Sequence, residues 1–246
     1  MANPPAGDSQ PRNAAGWAPQ TTRTLRVQHA PSGALNLNVH GRQITGPLQG
    51  FGQIWQKTYR ISLKDTTVKP AMVIATWKKH FAEFWPAHSR FFGPLTGIAP
   101  GEVAILNLTI GAMPLSTGVL VLYADDESFT LMTPQGHMFA GWITFSAYVE
   151  EGETHVQTQV LIRASDPIYE IALRFGGHRQ EDIFWQHTLK QVARRFNVES
   201  EVSVETICVD RRLQWSEAKN IWHNSAVRTL IHTLTHPALW RRRSRA

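Results

Sequence analysis

A single cysteine, Cys208, among 246 residues leaves no pair for an internal disulfide and no thiolate cluster for zinc or an iron–sulfur centre, as expected of a protein from a reducing compartment. Long apolar runs are absent as well. Lys, Arg, Asp, Glu or His interrupts every candidate well short of the ~20 residues that cross a bilayer. Residues 1–22 are rich in Pro, Gly, Ala, Ser, Gln and Asn and lack the basic start and apolar core of a secretory signal, so a disordered tail and a cytoplasmic location are expected. The glycine-rich stretch Gly46 to Gly52 lacks the Lys-Ser/Thr ending of a phosphate loop, and no serine sits in a nucleophile elbow. His232 and His236 are four apart, but without the glutamate of a metalloprotease helix and with Pro237 directly after them, so no metal is expected. No internal repeat is present.

Acidic charge is also scarce relative to basic, giving +6, but Arg241, Arg242, Arg243 and Arg245 supply four of the six and leave the remainder at +2. Nucleic-acid binding needs many cations arrayed on one face, so a near-neutral body with a basic end excludes it as the expected partner. Leu230, Ile231, Leu234, Leu239 and Trp240 followed by those arginines have the composition of an interfacial anchor for an anionic membrane, or of a packed helix with a solvated tail.

Apolar residues make up 42% and aromatics 10%, enough for a true core. From Gln53 to Leu63, Trp55, Tyr59, Ile61 and Leu63 alternate with Gln56, Thr58, Arg60 and Ser62, the pattern of a half-buried strand. Pro70 opens a helix with Val73, Trp77, Phe81 and Phe84 on one stripe, closed by Pro86. Short strands are expected at Leu35–Val39, Val103–Ile110, Gly118–Tyr123 and Phe129–Thr133. A hairpin then joins His137–Val149 to His155–Ala164, with Gln157, Gln159 and Arg163 toward water. Asp166 caps a short helix begun by Pro167 and ended by Gly176 and Gly177, and Glu181–Asn197 is the strongest helix, with Trp185, Leu189, Val192 and Phe196 on one side. A strand through Val204 and Cys208 and a helix begun by Ser216 follow.

Strand, helix, several antiparallel strands and a long closing helix resemble the helix-grip superfamily of START-like (SRPBCC) lipid-transfer domains, pollen-allergen-like proteins and polyketide cyclases. More narrowly, Gly136-His137 with Gly141, the run Arg163-Ala164-Ser165-Asp166-Pro167 and the helix end Gln191-Val192-Ala193-Arg194-Arg195-Phe196 are similar to a family of uncharacterised bacterial and plant domains. The match spans roughly 52–198, and Met138-Phe139-Ala140 stands where that family is more polar and acidic.

The resemblance implies an α+β helix-grip fold, a curved antiparallel sheet wrapped around a long C-terminal helix, with an added helical C-terminal extension. Expected boundaries are a tail at 1–28, the helix-grip domain at 29–200 and an extension with a basic tail at 201–246. The resemblance also implies a cavity between sheet and helix that takes a lipid-like or polyketide-like small molecule without cofactor. Independently, the inward faces collect Trp55, Tyr59, Trp77, Phe81, Phe139, Ile143, Phe145, Trp185 and Leu189, walls equally suited to a cavity or to a filled core. Each such side chain contributes roughly 1.5–3 kcal/mol on burial in either case. Lys57 shares the inward parity of Trp55 and Tyr59 and needs a partner or an acidic ligand, unless it snorkels at a strand edge. His137 shares the parity of Phe139 and Ile143, which makes it a candidate rim group and, in an enzyme of the cyclase or hydrolase kind, the acid or base.

Overall fold

The computed structural model describes residues 13–27, 30–64, 67–110 and 113–236. Eight strands form one antiparallel sheet: β1 (Ile54–Leu63), β2 (Arg90–Phe92), β3 (Val103–Ile110), β4 (Met113–Ala124), β5 (Ser128–Met132), β6 (Phe139–Glu150), β7 (Glu153–Ala164) and β8 (Ser203–Asp210). Their order is β2-β3-β4-β5-β6-β7-β1-β8. Four helices accompany them: α1 (Pro70–Lys79), α2 (Pro167–Ala172), α3 (His178–Arg195) and α4 (Ser225–Thr235). The long helix α3 packs on β1 and β7, while α1 lies on β6 and β7. This is the helix-grip arrangement, a curved sheet closed by a late helix. No helix among the described residues is long and apolar enough to cross a membrane.

Side-chain alternation accounts for the sheet. In β1, Lys57, Tyr59, Ile61 and Leu63 are buried on the helix-facing side, and in β7, Val156, Thr158, Val160 and Ile162 continue the same surface. Register follows from burying both sets together: Lys57 faces Val160 and Tyr59 faces Thr158.

The helices begin where their caps dictate and stop earlier or later than periodicity alone suggests. Pro70 starts α1, but His80 leaves the helix at φ −112°, ψ 20°, and Phe81–Phe84 continue as a tight 3-10 turn. The bonds of Glu83 N–H to the His80 carbonyl at 2.9 Å and of its carboxylate to His80 Nδ1 at 2.8 Å close that turn. Phe81 and Phe84 stay buried in consequence, although the single helix expected up to Pro86 is not formed. Asp166 caps α2 by accepting from the N–H groups of Ile168 and Tyr169 at 2.8 and 3.1 Å. Gly176, at φ +108°, makes a kink rather than a stop, so α3 starts at His178, three residues ahead of Glu181.

Other departures arise where segments before β1 and after α3 join the sheet. The expected division at 200 falls within a single sheet, because β8 pairs with β1. Residues 13–27, expected within a tail at 1–28, are ordered against the sheet: Trp17 bridges to Tyr123 of β4, and Leu25 joins Val39, Ile105 and Leu120 in a buried cluster. Residues 1–12 and 28 lie outside the described residues. Leu35–Val39 is irregular rather than a strand because Asn38 is buried and spends its amide on the carbonyls of Ser116 (2.9 Å) and Ser225 (3.2 Å). Arg163, expected to face water, is buried and paired with Asp210 at 2.9 Å from the end of β8. The helix expected from Ser216 is a 3-10 stretch, Trp215–His223, followed by α4, which Asn224 caps.

Candidate functional site

The helix-facing side of the sheet divides into a filled half and an open half. In the filled half, α1 and the turn after it insert Trp77 and Phe81. Trp77 lies 5.1 Å from Phe145 and 5.9 Å from Phe129, ring centre to ring centre, and Phe81 meets Phe91, Phe145 and Phe129 at 4.8, 5.1 and 5.4 Å. Phe129 and Phe145 stack at 4.6 Å. Tyr59, Trp77, Phe81, Phe145 and Leu189, five of the expected cavity walls, are thereby enclosed in an interlocked aromatic core.

The open half belongs to Trp55, Phe139, Ile143 and Trp185, which pack against that core yet keep part of their surface in solvent. Ile143 is informative because it sits mid-strand between Leu131 of β5 and Val160 of β7, where complete coverage would bury it. Trp185 reaches Phe145 at 5.6 Å and Phe184 at 4.7 Å, marking the seam between the halves. Four buried polar atoms, Thr117 Oγ1, Thr158 Oγ1, Trp77 Nε1 and Trp85 Nε1, have no hydrogen-bond partner among the described residues.

Lys57 points between sheet and helix, as its parity requires, and finds its partners in the protein. Its ammonium lies 2.7 Å from Asp182 Oδ1 and 3.0 Å from Glu181 Oε2, and it donates to the His178 carbonyl at 3.3 Å. Tyr59 donates its hydroxyl to the same Asp182 oxygen at 2.7 Å. Burial, the nearby Glu181 charge and the bond to Asp182 together push the Tyr59 phenol far above its ordinary range, so it remains a neutral donor. The approach of Lys57 to Glu181 is ionic and lacks hydrogen-bond geometry; neither Glu181 oxygen has a hydrogen-bond partner among the described residues. The first turn of α3 is thus tied to β1 by charge, with the ring of Trp55 5.1 Å from that of His178. The carboxylates were legible once Lys57 was known to point inward: Glu181 lies four and eight residues before Trp185 and Leu189, on the same helix stripe.

His137 lies elsewhere. Lys57 pairs across from Val160, whereas Phe139 pairs with Ala164 and His137 precedes it, so the two are separated by at least four steps along β7, roughly 13 Å. The ring is buried and accepts from the Phe139 N–H at Nδ1, 3.0 Å, and desolvation lowers its pKa to about 4. The cause is the Gly136 turn, at φ +86°, which lies against the His223 carbonyl and tucks the histidine under the C-terminal segment. His137 and Lys57 therefore do not share a rim. Among the described residues no cluster of histidine, cysteine and carboxylates has metal-binding geometry.

Two further depressions lie outside this space. One, of about 280 Å³, sits at the tip of the β3–β4 hairpin under α4; the other, of about 360 Å³, lies between the end of α3 and β1, with Lys190, Arg194, Glu199 and Glu201 on its walls. None of the eleven expected site residues lines either of them.

These elements define a helix-grip fold. No family model matches the chain, and no curated protein matches it. Among solved structures, the chain is similar to the crystal structure of Ara h 8.0201 (11% identity, 58% of this chain and 97% of that one, TM-score 0.41). It is also similar to the di-domain aromatase/cyclase StfQ of the steffimycin biosynthetic pathway (10%, 58% and 50%, TM-score 0.45) and to a START superfamily protein from Mycobacterium smegmatis (15%, 59% and 100%, TM-score 0.41). The fold assignment itself rests on the sheet order and the placement of α3.

Proposed function

We propose that this protein binds a hydrophobic or amphipathic small molecule, lipid-like or polyketide-like, on the open half of the grip between Trp55, Phe139, Ile143 and Trp185. The observation that carries the reading is the partial exposure of Ile143 and Phe139 on the inward face of a central strand, a place where apolar surface is otherwise covered. Apolar walls are the ordinary make-up of such sites. Lys57 and Tyr59 take a positioning role, holding α3 over the sheet, and the enclosed rings of Trp77, Phe81 and Phe145 with the side chain of Leu189 form the floor. His137 receives no proton-transfer role, because its ring is buried and its Nδ1 is engaged by the Phe139 N–H.

Titration with the neutral fluorophore N-phenyl-1-naphthylamine tests the proposal. Saturable enhancement is expected with the wild-type protein, weakened at least tenfold by Ile143→Arg and by Trp185→Asp in variants whose circular dichroism is unchanged. No enhancement in the wild type, or equal binding by both folded variants, overturns it.

A second reading is favoured by the exposure of Ile231 and Leu234 on α4: a peripheral contact with anionic membrane through the C-terminal segment. Its arginines and residues 237–246 lie outside the described residues. Co-sedimentation with phosphatidylserine-containing liposomes should fall on truncation after Pro237, and equal pelleting discards this contact.

A further inference from the structure

We infer that the cleft at the tip of the β3–β4 hairpin is a second binding site, specific for a small organic carboxylate with an apolar body. The fifteen described lining residues include Arg90, His88, His232 and His236 and not one aspartate or glutamate. Arg90 has no ion pair among the described residues; its guanidinium carbon lies 5.9 Å from the Phe92 ring, leaving its donors for an external acceptor. The His232 and His236 rings stack at 4.6 Å at the end of α4, where His236 Nδ1 lies 2.9 Å from Thr235 Oγ1. With the Arg90 guanidinium and no carboxylate among the described lining residues, an anion is the complement of this cleft.

Leu35, Leu108, Pro114 and Leu115 contribute apolar lining to the same cleft. A site whose lining combines the Arg90 guanidinium with aliphatic carbon selects an amphiphile, and about 280 Å³ limits it to a short chain or one ring system. The cleft is also built rather than incidental. Thr229 Oγ1 accepts from Ser116 N–H at 3.1 Å and from Asn38 Nδ2 at 3.2 Å, and Leu35 N–H donates to Asn107 Oδ1 at 2.9 Å. Strands β3 and β4, the segment 35–38 and α4 are thereby locked to one another beneath it, which keeps the order of the walls fixed before any ligand arrives.

The test is a titration of the full chain with sodium octanoate, below its micelle concentration, followed through the ring-proton NMR signals of the histidines. Signals of His88, His232 and His236 should move together and saturate, while octylammonium and inorganic phosphate leave them in place. Arg90→Ala and, separately, His232→Ala should weaken octanoate at least tenfold, and Ile143→Arg should leave it unchanged, which separates this cleft from the open half of the grip. Unmoved histidine signals, equal response to octylammonium, or undiminished affinity in both folded variants refutes the site.

Discussion

Replacing Lys57 by methionine keeps the length and apolar stem of the side chain and removes only the ammonium. Glu181, with 5% of its side chain exposed, is then left as a buried carboxylate without its lysine, with the His178 ring 3.8 Å away, whereas Asp182, at 31%, can turn to water and keep the Tyr59 bond. Breaking a buried ion pair by removing one partner costs roughly 3–5 kcal/mol. For a chain of this size that corresponds to a fall in Tm of roughly 6–20 °C. Urea unfolding followed by tryptophan fluorescence should show a lower midpoint at an unchanged slope, the mark of lost stability rather than a changed denatured state. In the double variant Lys57→Met/Glu181→Leu the orphaned charge is gone, and most of the loss should be recovered because an apolar pair can replace a buried ionic one at little cost. A loss below about 1 kcal/mol for Lys57→Met, or a double variant as unstable as the two single changes added together, would refute the buried latch.

Stability should also fall on acidification through His137. Its folded pKa of about 4 lies below the unfolded value of 6.5, so the unfolded chain binds the extra proton; the stabilisation is complete above pH 6.5 and is lost as pH drops toward 4. The full effect is about 3 kcal/mol, and His137→Gln should flatten that part of the stability-versus-pH curve measured by urea titration. Gly136→Ala places a methyl 2.0 Å from the His223 carbonyl oxygen at φ +86°, so melting scans should show a loss of more than about 2 kcal/mol, whereas Gly97→Ala, with open space around it, should lose about 1. Asp166→Ala removes the α2 cap and the 2.8 Å partner of buried Asn224; a loss of about 2–3 kcal/mol is expected by urea titration, and Asp166→Asn, which keeps an acceptor oxygen, should lose less.

Alternation and helical spacing made the main elements legible because each depends on neighbours a few residues away. The β6–β7 hairpin, the Asp166 cap and the inward aim of Lys57 all follow from local parity. Distant partners were not legible. Arg163 has the parity of a solvent-facing residue, and only the arrival of β8 with Asp210 buries it. Parity misled at His137 because the alternation of β6 was extended back to it, whereas the strand begins at Phe139 and His137 still belongs to the turn that Gly136 makes. Whether Trp77, Phe81 and Phe145 would wall a void or fill one depends on where α1 sits over the sheet, and composition is the same either way.

The position of β8 has a consequence for biosynthesis. Strand β1 emerges early but pairs with β7, about ninety positions later, and with β8 later still, so its hydrogen-bonding edges stay open while most of the polypeptide is made. Such wide sequence separation slows assembly and prolongs the exposure of sticky backbone. A nascent chain arrested after α3 would carry a bare flank on β1, with Trp55 and Tyr59 along it, open to pairing with a neighbouring molecule, and the last strand acts as the cover that ends that hazard.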